Sequence, residues 1–248
     1  MIVRTKDELA GMKEIGKICA ETLNQMENAM KAGMTTKELD EIGGRILESY
    51  GAYSAPISCY KFPGYTCISI NEVVAHGIPS SRVIQEGDIV NIDVSACKNG
   101  YFADTGKSIL IPPVNGVKKR LAECSLKALE KALSVAVAGY PLNGLGLMVE
   151  KTAHKTGFKT IRNLCGHGVG KTLHEDPETI YNYYERKDKR ILQAGMVLAV
   201  ETFVSEREDY VIEEKDGWTL RTPNNSITAQ FEHTIIVTDK DPVILTLV

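Results

Sequence analysis

Apolar residues recur along the first fifty positions at the spacing of helix faces. Thr5-x-x-Glu8 reads as a capping box, and Leu9, Met12, Ile15, Ile18, Cys19, Leu23 and Met26 follow at three- and four-residue intervals. The spacing predicts a helix to about Met30, stopping before Gly33. A second box, Thr35-x-x-Glu38, opens a helix through Leu39, Ile42, Ile46 and Leu47 to Tyr50-Gly51. Residues 52–65, with Pro56, Pro63 and Gly64, read as a loop. That loop is rich in Tyr53, Cys59, Tyr60, Phe62 and Tyr65, a cluster that either lines a pocket or roofs the core. Thr66–Ile70 reads as a strand and leads to His76, set beside Gly77 and Pro79.

The period then changes to two. Val90–Cys97 alternates and is rich in β-branched residues, Lys98-Asn99-Gly100 is a turn signal, and Tyr101–Ile109 continues as a second strand. With Asn99-Gly100 as the turn pair, Asp93 faces Gly106 and Asp104 is its diagonal neighbour. With Lys98-Asn99 as the pair, the two aspartates stand directly opposite. Either register points both carboxylates the same way among apolar neighbours, where like charges repel and burial is costly. A bound cation relieves both effects. Two solvated aspartates on an exposed face are the competing reading, and the hairpin alone does not decide between them.

Helical spacing returns over Val117–Ala138 and Leu145–Thr156, on either side of Gly139-Tyr140-Pro141. Next comes Gly166-His167-Gly168-Val169-Gly170, then His174-Glu175. The glycines let backbone pass close to a neighbour, but their spacing fits neither a dinucleotide fingerprint nor a phosphate loop. On one continuous strand, His167 and His174 would face opposite ways, so a bend or bulge is needed for both to reach one site. Gly195–Glu201 and Gln230–Val237 are apolar strands that hold Glu201 and Glu232. Between them, Glu213–Gly217 reads as a turn and Pro223-Asn224-Asn225 as a hairpin signal. Helices precede a hairpin twice over, in residues 1–112 and 113–248, with no linker. The expectation is a single α+β domain of two lobes.

Composition narrows the function classes. The 248 residues are 43% hydrophobic and 25% charged, ordinary for a globular protein with a sizeable core. A net charge of −3 without a cationic run gives no nucleic-acid or polybasic membrane surface. The start Met1-Ile2-Val3-Arg4-Thr5-Lys6-Asp7-Glu8 has no apolar h-region, and no apolar run approaches a bilayer span. Six cysteines, none in a Cys-x-x-Cys pair, read as reduced thiols of a cytoplasmic protein.

Four carboxylates remain in apolar strands: Asp93, Asp104, Glu201 and Glu232, with His167 beside them in sequence pattern. Their four negative charges balance two divalent cations, which bridging carboxylates can hold roughly 3.5–4 Å apart. An oxygen-rich set with one nitrogen suits Mn, Fe, Co or Zn better than calcium-type or thiolate chemistry. A bridging water would then ionise near neutral pH and become a nucleophile. His76 and His174 are left as donors for substrate and leaving group.

The chain resembles the type I methionine aminopeptidases. The resemblance lies in Asn71–Pro79, Asn91–Asp93, Ala103-Asp104-Thr105-Gly106, Gly166–Gly170 with His174-Glu175, Gly195–Glu201 and Ala229–Thr234. It implies the pita-bread fold, a pseudo-two-fold antiparallel sheet with helices on the outer face, around a dinuclear metal site. The implied ligands are Asp93, Asp104, His167, Glu201 and Glu232, and the substrate-contacting histidines are His76 and His174. Glu201 would also shuttle the proton of the attacking water. The implied methionine pocket is lined by Cys59, Phe62, Tyr65, Cys67, Leu173 and Trp218. Two positions depart from the pattern: Thr202 stands where proline is usual, and Leu173 where phenylalanine is usual. The resemblance further implies a compact, monomeric bacterial enzyme acting on nascent polypeptide N-termini at the ribosome. Prolidase and aminopeptidase P share the metal set but carry an additional N-terminal domain. Non-catalytic relatives that bind RNA usually lose ligands, whereas all five are present here.

Overall fold

The first two helices start where their capping boxes lie. In the computed structural model, which describes residues 1–247, α1 spans Lys6–Ala29 and α2 spans Thr36–Ser49. Thr5 Oγ1 accepts from the Glu8 amide while the Glu8 carboxylate accepts from the Thr5 amide, and Thr35 and Glu38 repeat the exchange. A two-residue strand β1 (Tyr53–Ser54) runs into a short helix α3 (Ala55–Tyr60), in a region expected to be loop. Ser54 caps α3, Pro56 sits in its first turn, and Lys61 ends it at φ 61°. Six residues are too few to show a helical period, so only the cap and the proline announced it.

Strands β2 (Cys67–Ile70) and β3 (Val73–Ala75) precede the long hairpin β4 (Ile89–Lys98) and β5 (Tyr101–Leu110). Asn99 and Gly100 take φ 53° and 75°, the left-handed pair of a tight hairpin turn, and Lys98 pairs with Tyr101. Then come α4 (Gly116–Leu133) and α5 (Asn143–Lys155). α4 ends at Leu133 rather than Ala138, because Val137 leaves the helix to bridge Thr238. The remaining strands are β6 (Lys159–Thr160), β7 (Cys165–Gly168), β8 (Glu175–Tyr181), β9 (Val197–Ser205), β10 (Ile212–Glu213), β11 (Leu220–Arg221), β12 (Thr228–Ile236) and β13 (Val243–Ile244).

The main sheet is ordered β1-β4-β5-β12-β9-β7-β8, with antiparallel neighbours throughout. α1 packs on β4 and β5, and α4 packs on β9 and β12. Alternation decides what each face carries. Ile92, Val94 and Ala103 join the core under α1, while Val200, Ala229 and Phe231 join the core under α4. The intervening residues Asp93, Asp104, Glu201 and Glu232 therefore stand on the opposite face. A small sheet, β10-β11-β3, lies over that side and carries Trp218 in its β10–β11 connection. The Pro223-Asn224-Asn225 segment links β11 to β12, which belong to different sheets, so it is a crossover rather than a hairpin turn.

Thr202, next to Glu201 on β9, is fully buried against α4. Its hydroxyl lies 2.9 Å from Ser125 Oγ and 3.1 Å from the Ser125 carbonyl oxygen. Ser125 Oγ in turn donates to the Ala229 carbonyl at 3.1 Å, so one hydroxyl pair ties α4 to both β9 and β12. Thr202→Val keeps the shape and removes the hydroxyl. It is expected to lower unfolding free energy by about 1–3 kcal/mol, the usual penalty for stranding a buried polar partner. Denaturant unfolding with an unchanged midpoint would show that this pair contributes nothing.

Candidate active site

The hairpin places the first two carboxylates. Asp93 pairs with Gly106 and Ser95 pairs with Asp104, so the aspartates are diagonal neighbours, the outcome of the Asn99-Gly100 turn. Ser95 Oγ donates to Asp104 Oδ1 at 2.7 Å, and the Asp104 backbone exchanges two hydrogen bonds with Thr234 Oγ1. Glu201 and Glu232 face each other directly across β9 and β12. His167 on β7 pairs with Ala199 on β9, two residues from Glu201. Five side chains from five strands thus meet at one place.

Within that group, single ligand atoms of Asp104, His167 and Glu232 all lie within 4.8 Å of one another. His167 Nε2 is 3.7 Å from Asp104 Oδ2 and 3.9 Å from Glu201 Oε1. His167 Nδ1 is 3.0 Å from the Gly168 carbonyl, which can only accept, so in the neutral ring Nε2 keeps the lone pair. Asp93 and Glu201 stand outside the tightest trio but line the same cavity. Burial, then the charge of Asp104, pushes the Asp93 and Glu201 carboxyls well above the usual range. The same two causes, followed by Glu201 and Asp93, act on Glu232. Among the described residues, Asp93 Oδ1 and Glu232 Oε1 are sealed from solvent with no hydrogen-bond partner. Clustered buried acids with orphaned oxygens are what a multivalent cation would satisfy, and the donor set fits one.

The glycines explain how the histidines converge. β7 ends at Gly168 and β8 begins at Glu175, with a register shift between Gly166 and Gly168. The chain turns back there, and the His167 and His174 rings come to 4.1 Å between centroids. A β-carbon at Gly166 would stand 2.5 Å from the Ala199 carbonyl oxygen, which is why the strand carrying His167 needs glycine beside it. Burial, then His167, lowers His174 to about 4. Burial also lowers His76, whose backbone takes φ 54°. That conformation is sparsely populated by residues with a β-carbon and is typical of functional positions.

These groups line a cavity of about 380 Å³. Phe62, Cys67, Leu173 and Trp218 are among its apolar lining, with His76 and His174 beside them. Phe62 and Trp218 meet edge to face at 5.3 Å. The structure does not bring Cys59 or Tyr65 to this cavity. Cys59 is exposed on α3, and Tyr65, 43% exposed, lies with its ring over Gly44 of α2. Asp40 causes this, because its carboxylate accepts from the Tyr65 and Thr66 amides and from Thr66 Oγ1, while Ser54 Oγ donates to the Tyr65 carbonyl. Tyr60 is the aromatic residue that reaches the site instead, its hydroxyl 2.7 Å from His174 Nδ1. It stands at the last residue of α3, a helix too short to show a period in the sequence. Cys165, Phe203 and Glu178 also line the cavity, and no motif pointed to them.

Residues 10–239 match metallopeptidase family M24. The chain belongs to this family. The M24 chain is 48% identical to the methionine aminopeptidase of Staphylococcus epidermidis (strain ATCC 12228 / FDA PCI 1200), over 99% of its own length and 98% of that protein. It is 44% identical to methionine aminopeptidase 2 of Bacillus subtilis (strain 168), over 99% of both. The crystal structure of methionine aminopeptidase from Rickettsia prowazekii superposes with a TM-score of 0.95 at 36% identity, covering 100% of each chain. The fold of this M24 metallopeptidase is therefore the α+β pita-bread fold. Membership of a metallopeptidase family, together with the acidic cluster, implies divalent metal binding.

Proposed function

We propose that this M24 metallopeptidase is a methionine aminopeptidase that removes an N-terminal methionine when the following residue is small. The observation that carries the reading is a buried carboxylate–histidine cluster lining the same cavity as Phe62, Cys67, Leu173 and Trp218. Asp93, Asp104, His167, Glu201 and Glu232 would hold two divalent cations of Mn, Fe, Co or Zn. When bound, such ions polarise a peptide carbonyl and bring water ionisation near neutral pH. The site belongs to one catalytic domain, and its two lobes, about 1–112 and 113–248, supply two aspartates and two glutamates respectively.

The chain's own residues would divide the work. A methionine side chain is flexible and polarisable and packs well against thiol and aromatic walls, which here are Cys67, Phe62 and Trp218. Glu201 accepts the proton of the attacking water at a carboxylate oxygen. His174 donates a hydrogen bond to the developing oxyanion, and His76 orients the scissile amide. The second substrate residue would lie against His76, which lines the cavity beside the carboxylates. A large side chain there overpacks by about 1–3 kcal/mol, roughly one to two orders of magnitude in rate. The natural substrates would be nascent chains leaving the ribosome, met in the cytoplasm by a monomeric enzyme. Among the described residues, no helix is long and apolar enough to cross a membrane.

The test is a set of three peptides. Met-Ala-Ser is expected to be cleaved, Met-Leu-Ser to be cleaved some 10- to 100-fold more slowly, and Leu-Ala-Ser to be a poor substrate. Comparable turnover of all three would make the protein a broad aminopeptidase instead.

A further inference from the structure

One buried amide touches both glutamates of the cluster. Gln230 lies two residues before Glu232 on β12, so the two side chains share a face. It is 2% exposed. Its Nε2 donates to Glu232 Oε2 at 3.0 Å and reaches Glu201 Oε2 at 3.4 Å. Its Oε1 accepts from Asn91 Nδ2 at 2.7 Å. Asn91 lies on β4, two residues before Asp93, and its Nδ2 also reaches the Gln230 carbonyl at 3.3 Å. The side chain has room because residue 106, opposite Asp93, is glycine: a β-carbon there would overlap Gln230 Oε1.

The polarity of this chain of amides is determined at each link. A backbone carbonyl only accepts, so the Gln230 carbonyl fixes which end of Asn91 is the donor. That donor fixes Gln230 Oε1 toward β4, and Nε2 is left facing two carboxylates that, when ionised, can only accept. The amide engages Oε2 of each glutamate. Oε1 of Glu232 is the orphaned oxygen, and Oε1 of Glu201 is the one 3.9 Å from His167 Nε2. Both free oxygens are thereby left to the cluster.

We infer that Gln230, oriented by Asn91 and admitted by Gly106, is a positioning residue that presents Oε1 of Glu201 and of Glu232 to a bound cation. The inference rests on the ligand set proposed above. Residues that orient metal ligands typically change metal affinity by about 10–100-fold when altered. Gln230→Met fills similar volume without a donor. Asn91→Asp keeps the shape but turns the first donor into an acceptor. The Gln230 amide would then turn, aiming Oε1 at the glutamates.

The experiment is calorimetric titration of chelator-stripped protein with Mn²⁺, alongside circular dichroism of the stripped proteins. Both variants are expected to fold as wild type and to bind Mn²⁺ about 10–100-fold more weakly. The direction for Asn91→Asp is diagnostic, because an added negative charge acting only through Coulomb attraction would tighten binding. Should Gln230→Met not fold, Asn91→Asp decides alone. Wild-type or tighter affinity in a folded variant overturns the inference while leaving the ligand set standing. A wild-type protein that takes up no Mn²⁺ overturns the ligand set, and the inference with it.

Discussion

Stripping the protein with a chelator is expected to abolish peptide cleavage, and adding back Mn²⁺, Co²⁺ or Fe²⁺ to restore it. The reason is electrostatic before it is catalytic. Four carboxyl groups line one cavity, Asp104 and Glu232 buried and Asp93 and Glu201 half-buried; among the described residues two of their oxygens have no partner, and Glu201 and Glu232 oppose each other across adjacent strands. Like charges so placed destabilise a sheet, and a divalent cation reverses the sign of that interaction. A ligand that binds only the folded state at a hundred times its Kd adds about 2.7 kcal/mol of stability. For a chain of this length that corresponds to a rise in Tm of about 5–10 °C. Loss of cleavage should therefore be accompanied by a lower melting temperature, read by calorimetry with and without metal. Full activity and an unchanged Tm after exhaustive stripping would refute a metal-dependent site.

His174→Ala is expected to lose about 10²–10³ in turnover, the usual effect of removing one oxyanion donor, while its metal content stays that of the wild type. His174 is outside the trio of closest ligand atoms, and its ring is oriented from the other side by Tyr60. One ring nitrogen is thus engaged by the phenol, and the other is left for substrate. Tyr60→Phe, which removes only that orienting contact, should lose turnover by a smaller factor than His174→Ala. Elemental analysis beside the kinetics separates the roles: a His174→Ala protein that comes out metal-free would make His174 a ligand.

Local chemistry made much of the site legible in advance. The Asn99-Gly100 turn set the hairpin register, and that register made Asp93 and Asp104 diagonal neighbours on a face that either candidate turn would have given them. Apolar strands interrupted by a single Glu marked Glu201 and Glu232, and the glycines around His167 marked a crowded backbone. What stayed hidden depends on contacts distant in sequence. Which aromatic ring of residues 53–65 enters the cavity is settled by Asp40, which fastens the backbone of Tyr65 and Thr66 from another helix. Gln230 looks like one more polar residue in a strand until Asn91 and Gly106 are beside it. The departure at Thr202 becomes intelligible only with Ser125, far away on α4, as its partner.

The rung that sets Glu201 against Glu232 in the middle of the sheet is a poor choice for stability by itself. A protein valued only for rigidity would carry two β-branched residues there. A directed-evolution search for heat resistance, run with chelator present, would therefore tend to discard this rung early. Its winners would be sturdier proteins and dead enzymes, and the change would be readable in the codons for residues 201 and 232 of the survivors.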